Sequence, residues 1–209
     1  MRIHFLVEGK SEEALLKKWL PRFLPKAHTF KVIPHRGKGK IPKNPSIEPD
    51  PHHQGLLDQL PAKLRAYGKA LDPATDRILV LVDLDDEDCL ELKDRLNSLL
   101  RYCHPTPTAL FRIAIEETEA FYLGDQTAIK KAFPKARSNK LDNYKQDSIC
   151  GTWELFQKAI GAKSEDKVEW ARRMGPYLTT RWQGRAANPS HSFQQFCKAI
   201  LMLAGEPVE

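Results

Sequence analysis

Residues 77–89, RILVLVDLDDEDC, decide the fold. Ile78 to Val82 form a short, unbroken apolar run rich in β-formers, which predicts a buried strand. The run ends directly in Asp83, Asp85, Asp86, Glu87 and Asp88, five carboxylates within six positions. Such neighbours repel one another and resist ionising together unless something compensates them. The cluster also stands out against its background, because 33 Lys and Arg against 27 Asp and Glu leave a formal net charge of +6.

On the N-terminal side, RIHFLV (2–7) is nearly all apolar, which suits a strand covered on both faces and ending at Glu8-Gly9. SEEALLKKWLPRFL (11–24) places Ala14, Leu15, Trp19, Leu20 and Phe23 near helical spacing, with Ser11 as the expected N-cap. HTFKVIP (28–34) is a second strand. Residues 35–53, rich in Pro, Lys and His and without periodicity, predict a long loop. GLLDQLPAKLRAYGKAL (55–71) is helical, with a break expected near Leu60 because of Pro61.

Beyond the acids, CLELKDRLNSLLRYC (89–103) is the strongest amphipathic helix, and ALFRIAIEETEAFYLGD (109–125) reads as a strand passing into a helix near Glu116. This alternation predicts an α/β fold over residues 1–125, with a mainly parallel sheet flanked by helices. After Asp125 the segments TWELFQKAIG (152–161), SEDKVEWARRMG (164–175) and SFQQFCKAILMLAG (192–205) are all helical and punctuated by glycine. They predict a C-terminal helical annex, 126–209, packed on the same core.

The composition excludes several classes. No apolar run approaches the roughly 20 residues of a membrane span, and residues 1–7 are too short for a signal peptide. Cys89, Cys103, Cys150 and Cys197 lie far apart with no CxxC pair, which points to reduced thiols in a cytoplasmic protein. The basic balance suits a polyanionic partner.

In an open parallel sheet, ligand sites gather beyond the carboxyl ends of the strands. Three predicted strands end in acid, at Glu8, Asp83 and Glu116. Converging carboxylates call for a hard divalent cation, and Mg²⁺ or Mn²⁺ suits such oxygen ligands. Asp86, Glu87 and Asp88 read instead as helix caps or solvated charges, and Glu116 as a helix-start charge. The loop HRGKGKIPK (35–43) offers Arg36, Lys38, Lys40 and Lys43 beside glycines, a phosphate-binding pattern whose plainer reading is a solvated loop. It lacks the spacing of a P-loop. His52-His53 reads as a surface patch, Ser190-His191-Ser192 as the start of the last helix, and the tryptophans as core.

FLVEGKSEE (5–13) followed by ILVLVDLDD (78–86) resembles the Toprim domain of topoisomerases, primases and OLD-type nucleases, with its strand-ending glutamate and later Asp-x-Asp strand. The order of these segments, then EETEAF (116–121) and NPSHSFQQF (188–196), is closest to an uncharacterised OLD-nuclease-related group, the DUF4276 type. The resemblance implies Glu8, Asp83 and Asp85 as catalytic metal ligands, with Glu12 on the following helix as a further ligand and Glu117 and Glu119 as the acidic pair of EETEAF. A spacing of two puts that pair on different faces of a helix, so one of them is expected to reach the metal, and Glu119 is favoured. It implies a Mg²⁺- or Mn²⁺-dependent nuclease acting on nucleic acid, DNA before RNA, and an AAA-type ATPase partner in antiphage defence or DNA processing. The chain is too short for topoisomerase or primase accessory domains. A non-catalytic scaffold subunit of an ATPase complex is the alternative. A dehalogenase-like phosphatase fits poorly, since Glu87 stands where its DxD motif continues with Thr or Val.

Overall fold

Four strands, β1 (Arg2–Val7), β2 (Thr29–Pro34), β3 (Asp76–Asp83) and β4 (Ala109–Ala114), form one parallel sheet in the order β2-β1-β3-β4. The structure is a computed structural model and describes residues 1–208. β1 and β3 occupy the centre, which is why their apolar runs do not alternate: both faces are covered. Ile3, Phe5, Val7, Leu79 and Leu81 face one core, and Leu6, Ile78, Val80 and Val82 the other. The fold is α/β, as the strand–helix alternation predicts.

The second core is closed by α2 (Leu56–Ala70) and α3 (Cys89–Ser98). The first is closed by α1 (Lys10–Phe23) and α4 (Glu119–Leu123) together with the annex: α5 (Gln126–Ala132), α6 (Thr152–Ile160), α7 (Lys167–Met174) and α8 (His191–Ala204). The annex therefore shares its hydrophobic core with the sheet. Its keystone is an aromatic group in which Phe196 of α8 lies 6.3 Å from Phe5, 6.0 Å from Trp19 and 5.9 Å from Phe121, ring centre to ring centre.

Local details correct the sequence reading at three places. Gly9, not Ser11, caps α1; Glu12 at the third helical position accepts the Gly9 N–H at 2.8 Å, and Ser11 donates to Glu12 instead. α2 runs unbroken through Pro61. The proline removes one N–H, and burial of Leu56, Leu57, Leu60 and Leu64 against the sheet holds the turns on either side in line. The helix after β4 begins at Glu119, because Glu116 has a left-handed backbone (φ 58°) that a continuing helix cannot accommodate.

Phe196 joins β1, α1, α4 and α8, so Phe196→Ala should cost about 3–5 kcal/mol and lower the melting temperature by roughly 10 °C, as read by calorimetry.

Candidate functional site

Because all four strands run the same way, their carboxyl ends share one edge of the sheet. Glu8 follows β1, Asp83 ends β3, Glu12 lies in the first turn of α1, and Glu119 opens α4. Glu12 and Glu119 are buried; Glu8 and Asp83 are partly exposed. Glu8 Oε1 accepts the Asp83 backbone N–H at 2.7 Å, and Asp83 Oδ1 accepts the Thr118 hydroxyl at 2.9 Å. The structure thus brings together Glu8, Glu12, Asp83 and Glu119 from three separate segments of the chain.

Their electrostatics are unresolved by protein alone. Burial first, and Glu12 and Asp85 after it, push Glu8 up to about 8, against the opposing pull of the Asp83 N–H and Lys38. Glu119 is likewise pushed up to about 8, chiefly by burial, with Lys167 pulling the other way. Asp83 is raised well above its ordinary value by burial and by the charges of Glu8, Glu12 and Glu119.

The opposite end of β3 provides the comparison. Asp76 is buried too, but Arg2 Nε and Nη2 donate to its two oxygens at 2.5 and 2.8 Å, and His4 Nε2 lies 2.5 Å from Oδ1. The Arg2 guanidinium, outweighing burial, holds Asp76 below its usual range. One strand therefore begins in a matched carboxylate and ends in an unmatched one.

The other expected residues separate. Asp85 has a left-handed backbone (φ 53°) and turns to the rim, where Lys38 Nζ donates to it at 2.9 Å. The same ammonium reaches Glu87 at 2.8 Å and the Leu84 carbonyl at 3.1 Å, so Lys38 serves the acidic turn from within. Asp88 caps α3, accepting from Leu90 and Glu91 N–H. Arg36 and Lys40 are exposed, away from this pairing, and Lys40 is held only through its backbone N–H on Asp58. Ser190 caps α8 and also donates to Asp147 at 2.7 Å.

Two residues carry roles that sequence reasoning missed. Lys167, the first residue of α7, donates to Glu117 at 3.0 Å, lies 5.2 Å from the Trp153 ring centre, and feels the charges of Glu119 and Asp83. A lysine opening a helix opposes the macrodipole, and that misfit was the available signal. Glu116 is not a charge at the start of its own helix. Its carboxylate accepts three backbone N–H groups, from Cys150, Gly151 and Thr152, at the start of α6.

Hard cations favour carboxylate oxygens, and this donor set supplies four carboxylates with too little opposing charge. Among the described residues, no three His, Cys, Asp or Glu side chains are disposed to hold a metal ion together. The oxygens are turned to protein donors instead, Glu8 to Asp83 N–H, Glu12 to Gly9 N–H and Asp83 to Thr118, so ligation requires these side chains to turn from their present partners. A cavity of about 780 Å³ lies elsewhere, at the far end of α4 from Glu119, among Gly124, Lys131, Tyr144 and Arg181. Among the described residues no helix is long and apolar enough to cross a membrane.

A protein-family model described as a domain of unknown function (DUF4276) matches residues 7–200. No curated protein and no solved structure matches the chain.

A carboxyl whose pKa is higher in the folded chain binds more protons when folded. Its contribution to stability is complete below the ordinary value of 4.5 and is lost as pH rises toward about 8. With a chelator present, the urea midpoint should therefore fall between about pH 6 and about pH 8.5, and fall less in Glu119→Gln. Equal slopes would show that Glu119 is already ionised at the lower pH.

Proposed function

Since the chain belongs to the DUF4276 family, whose description assigns no activity, we propose its function from the site alone: a Mg²⁺- or Mn²⁺-dependent phosphodiester hydrolase acting on nucleic acid. The supporting observation is the contrast along β3, where Asp76 is met by Arg2 and His4 while Asp83, Glu8 and Glu119 share an edge without adequate counter-charge. A divalent cation is the natural complement of that edge. Glu8, Asp83, Glu12 and Glu119 would hold it, and Asp85 would join only by releasing Lys38.

When bound, the cation would polarise a phosphoryl oxygen and acidify a water molecule. The chain's own residues contribute the rest. Lys167, steadied by Glu117 and Trp153, presents a positive charge beside Glu119 and Asp83, where negative charge on a phosphoryl group would develop. Lys38 balances the acidic turn and keeps Asp85 and Glu87 from crowding an incoming phosphate. Glu8 and Glu119, pushed up to about 8, hold protons at neutral pH, so cation uptake displaces protons and strengthens as pH rises. A cytoplasmic setting, DNA in preference to RNA, and an AAA-type ATPase partner belong to the same proposal.

Calorimetric titration of Mn²⁺ in two buffers of different ionisation enthalpy should show saturable binding with proton release, weakened about tenfold or more in Asp83→Asn. The same wild-type sample should cleave supercoiled, linear or single-stranded DNA only with Mg²⁺ or Mn²⁺. Binding without cleavage of DNA or RNA would transfer the reading to a subunit of an ATPase complex. No binding would overturn the metal site.

Lys167→Gln should lose roughly 10²-fold in cleavage rate while retaining Mn²⁺ affinity within a few-fold. A parallel loss of metal binding would make Lys167 structural.

A further inference from the structure

Along the same edge of the sheet, next to the acids, lies a feature of opposite charge. A cleft of about 510 Å³ opens where β2 ends, lined by Lys10 of α1, His35 and Arg36 after β2, Gln54 of the loop, and Gln59 and Lys63 of α2. No carboxylate lines it. Lys10, Arg36 and Lys63 have no ion-pair partner among the described residues.

The walls are built rather than loose. Arg36 N–H donates to the Gln54 carbonyl at 3.2 Å, Gly37 N–H to the Glu8 carbonyl at 2.9 Å, and Leu56 N–H to the Gly37 carbonyl at 2.8 Å, which pins the loop to both β1 and α2. The Gln59 amide donates to the His53 carbonyl at 2.6 Å, and the Gln54 amide to the Pro51 carbonyl at 3.1 Å. His35 Nδ1 lies 2.8 Å from the Val7 carbonyl, while its buried Nε2 has no partner. Burial lowers the pKa of Lys63, and burial with the added Lys63 charge lowers that of His35. Both shifts mark side chains whose positively charged form is disfavoured there unless an anion enters.

We propose that this cleft is a phosphate subsite, which grips a nucleic-acid strand beside the acid cluster and makes the substrate a polynucleotide instead of a small phosphoester. Neighbouring strands of a sheet lie about 4.8 Å apart, so the end of β2, where the cleft opens, lies two strand positions, roughly 10 Å, from the end of β3 that carries Asp83, a separation that phosphates of one strand a nucleotide or two apart can bridge. Of the cations in the loop, Arg36 faces this cleft, whereas Lys38 is committed to Asp85 and Glu87. Assigning the bound phosphate to substrate rests on the hydrolytic reading above; the binding itself does not.

The test is fluorescence anisotropy with a labelled single-stranded DNA oligonucleotide in EDTA, across a salt series, so that metal binding plays no part. Wild type should bind with a salt-dependent affinity. Arg36→Gln/Lys63→Gln should bind about tenfold more weakly, with the slope of log K against log salt reduced by about 1.4 for two lost phosphate contacts. Arg36→Lys/Lys63→Arg should restore both, and Lys131→Gln/Arg181→Gln, in the large annex cavity, should leave both unchanged.

An unaltered slope in the first variant at an unaltered melting temperature, or an equal loss in the annex variant, overturns the subsite. Saturable binding of inorganic phosphate without oligonucleotide binding overturns the polynucleotide assignment. Failure of Mn²⁺ to bind, with the oligonucleotide result intact, removes the hydrolytic reading and leaves the cleft.

Discussion

Much of this molecule is arranged around carboxylates that a central parallel sheet forces into one another's company. Four strands running the same way deliver their chain ends to one edge, and three segments there carry acid: Glu8 after β1, Asp83 at the end of β3 and Glu119 after β4. Glu12 joins them because the Gly9 cap starts α1 immediately after β1. Burial raises the cost of ionising these groups, and their mutual repulsion raises it further. The Asp83 N–H, the Thr118 hydroxyl and the two flanking lysines reduce that cost without removing it.

The surrounding elements can be understood by how they treat this edge. Lys38 draws off Asp85 and Glu87, thinning the charge around Glu8. Lys167 does the same for Glu117 and arrives from the annex, so a helix beyond the α/β half supplies part of the site's electrostatics. On the β2 side the lining carries basic and polar side chains, with Pro34 and Pro51, and no carboxylate. Acid at the centre with cations beside it is the polarity on which the proposed metal-assisted reaction on a polyanion rests.

The sheet was legible because its signals are dense and local. Apolar runs at 2–7 and 77–83 have no reading other than buried strands once their lengths and flanks are considered. The meeting of Glu8 with Asp83 was equally legible, since parallel topology alone places strand ends together. Asp85 was harder. A DxD pattern puts both acids at one strand end, but the left-handed backbone at Asp85 sends its side chain to Lys38.

Pro61 misled because its local penalty was outweighed by four leucines buried against the sheet, a tertiary effect. The partners of Lys167 and Glu116 were illegible for a related reason, as each contact spans 35 to 50 residues of chain, and the misplaced charge of a lysine opening a helix marks the residue without saying what it meets. Periodicity carries no information about such pairings.

The Glu116 carboxylate makes the two halves inseparable in a practical sense. It ends the strand side of the chain yet finds its three donors only in residues 150–152. A fragment cut after Asp125 would retain every acid of the cluster and lose those donors, Lys167, and the aromatic cover that Phe156, Phe193 and Phe196 place over the first core. Modularity stops here: the acidic edge in its present surroundings cannot be carved out with the α/β half alone, and any transplant of it into another scaffold has to carry the helices of the annex with it.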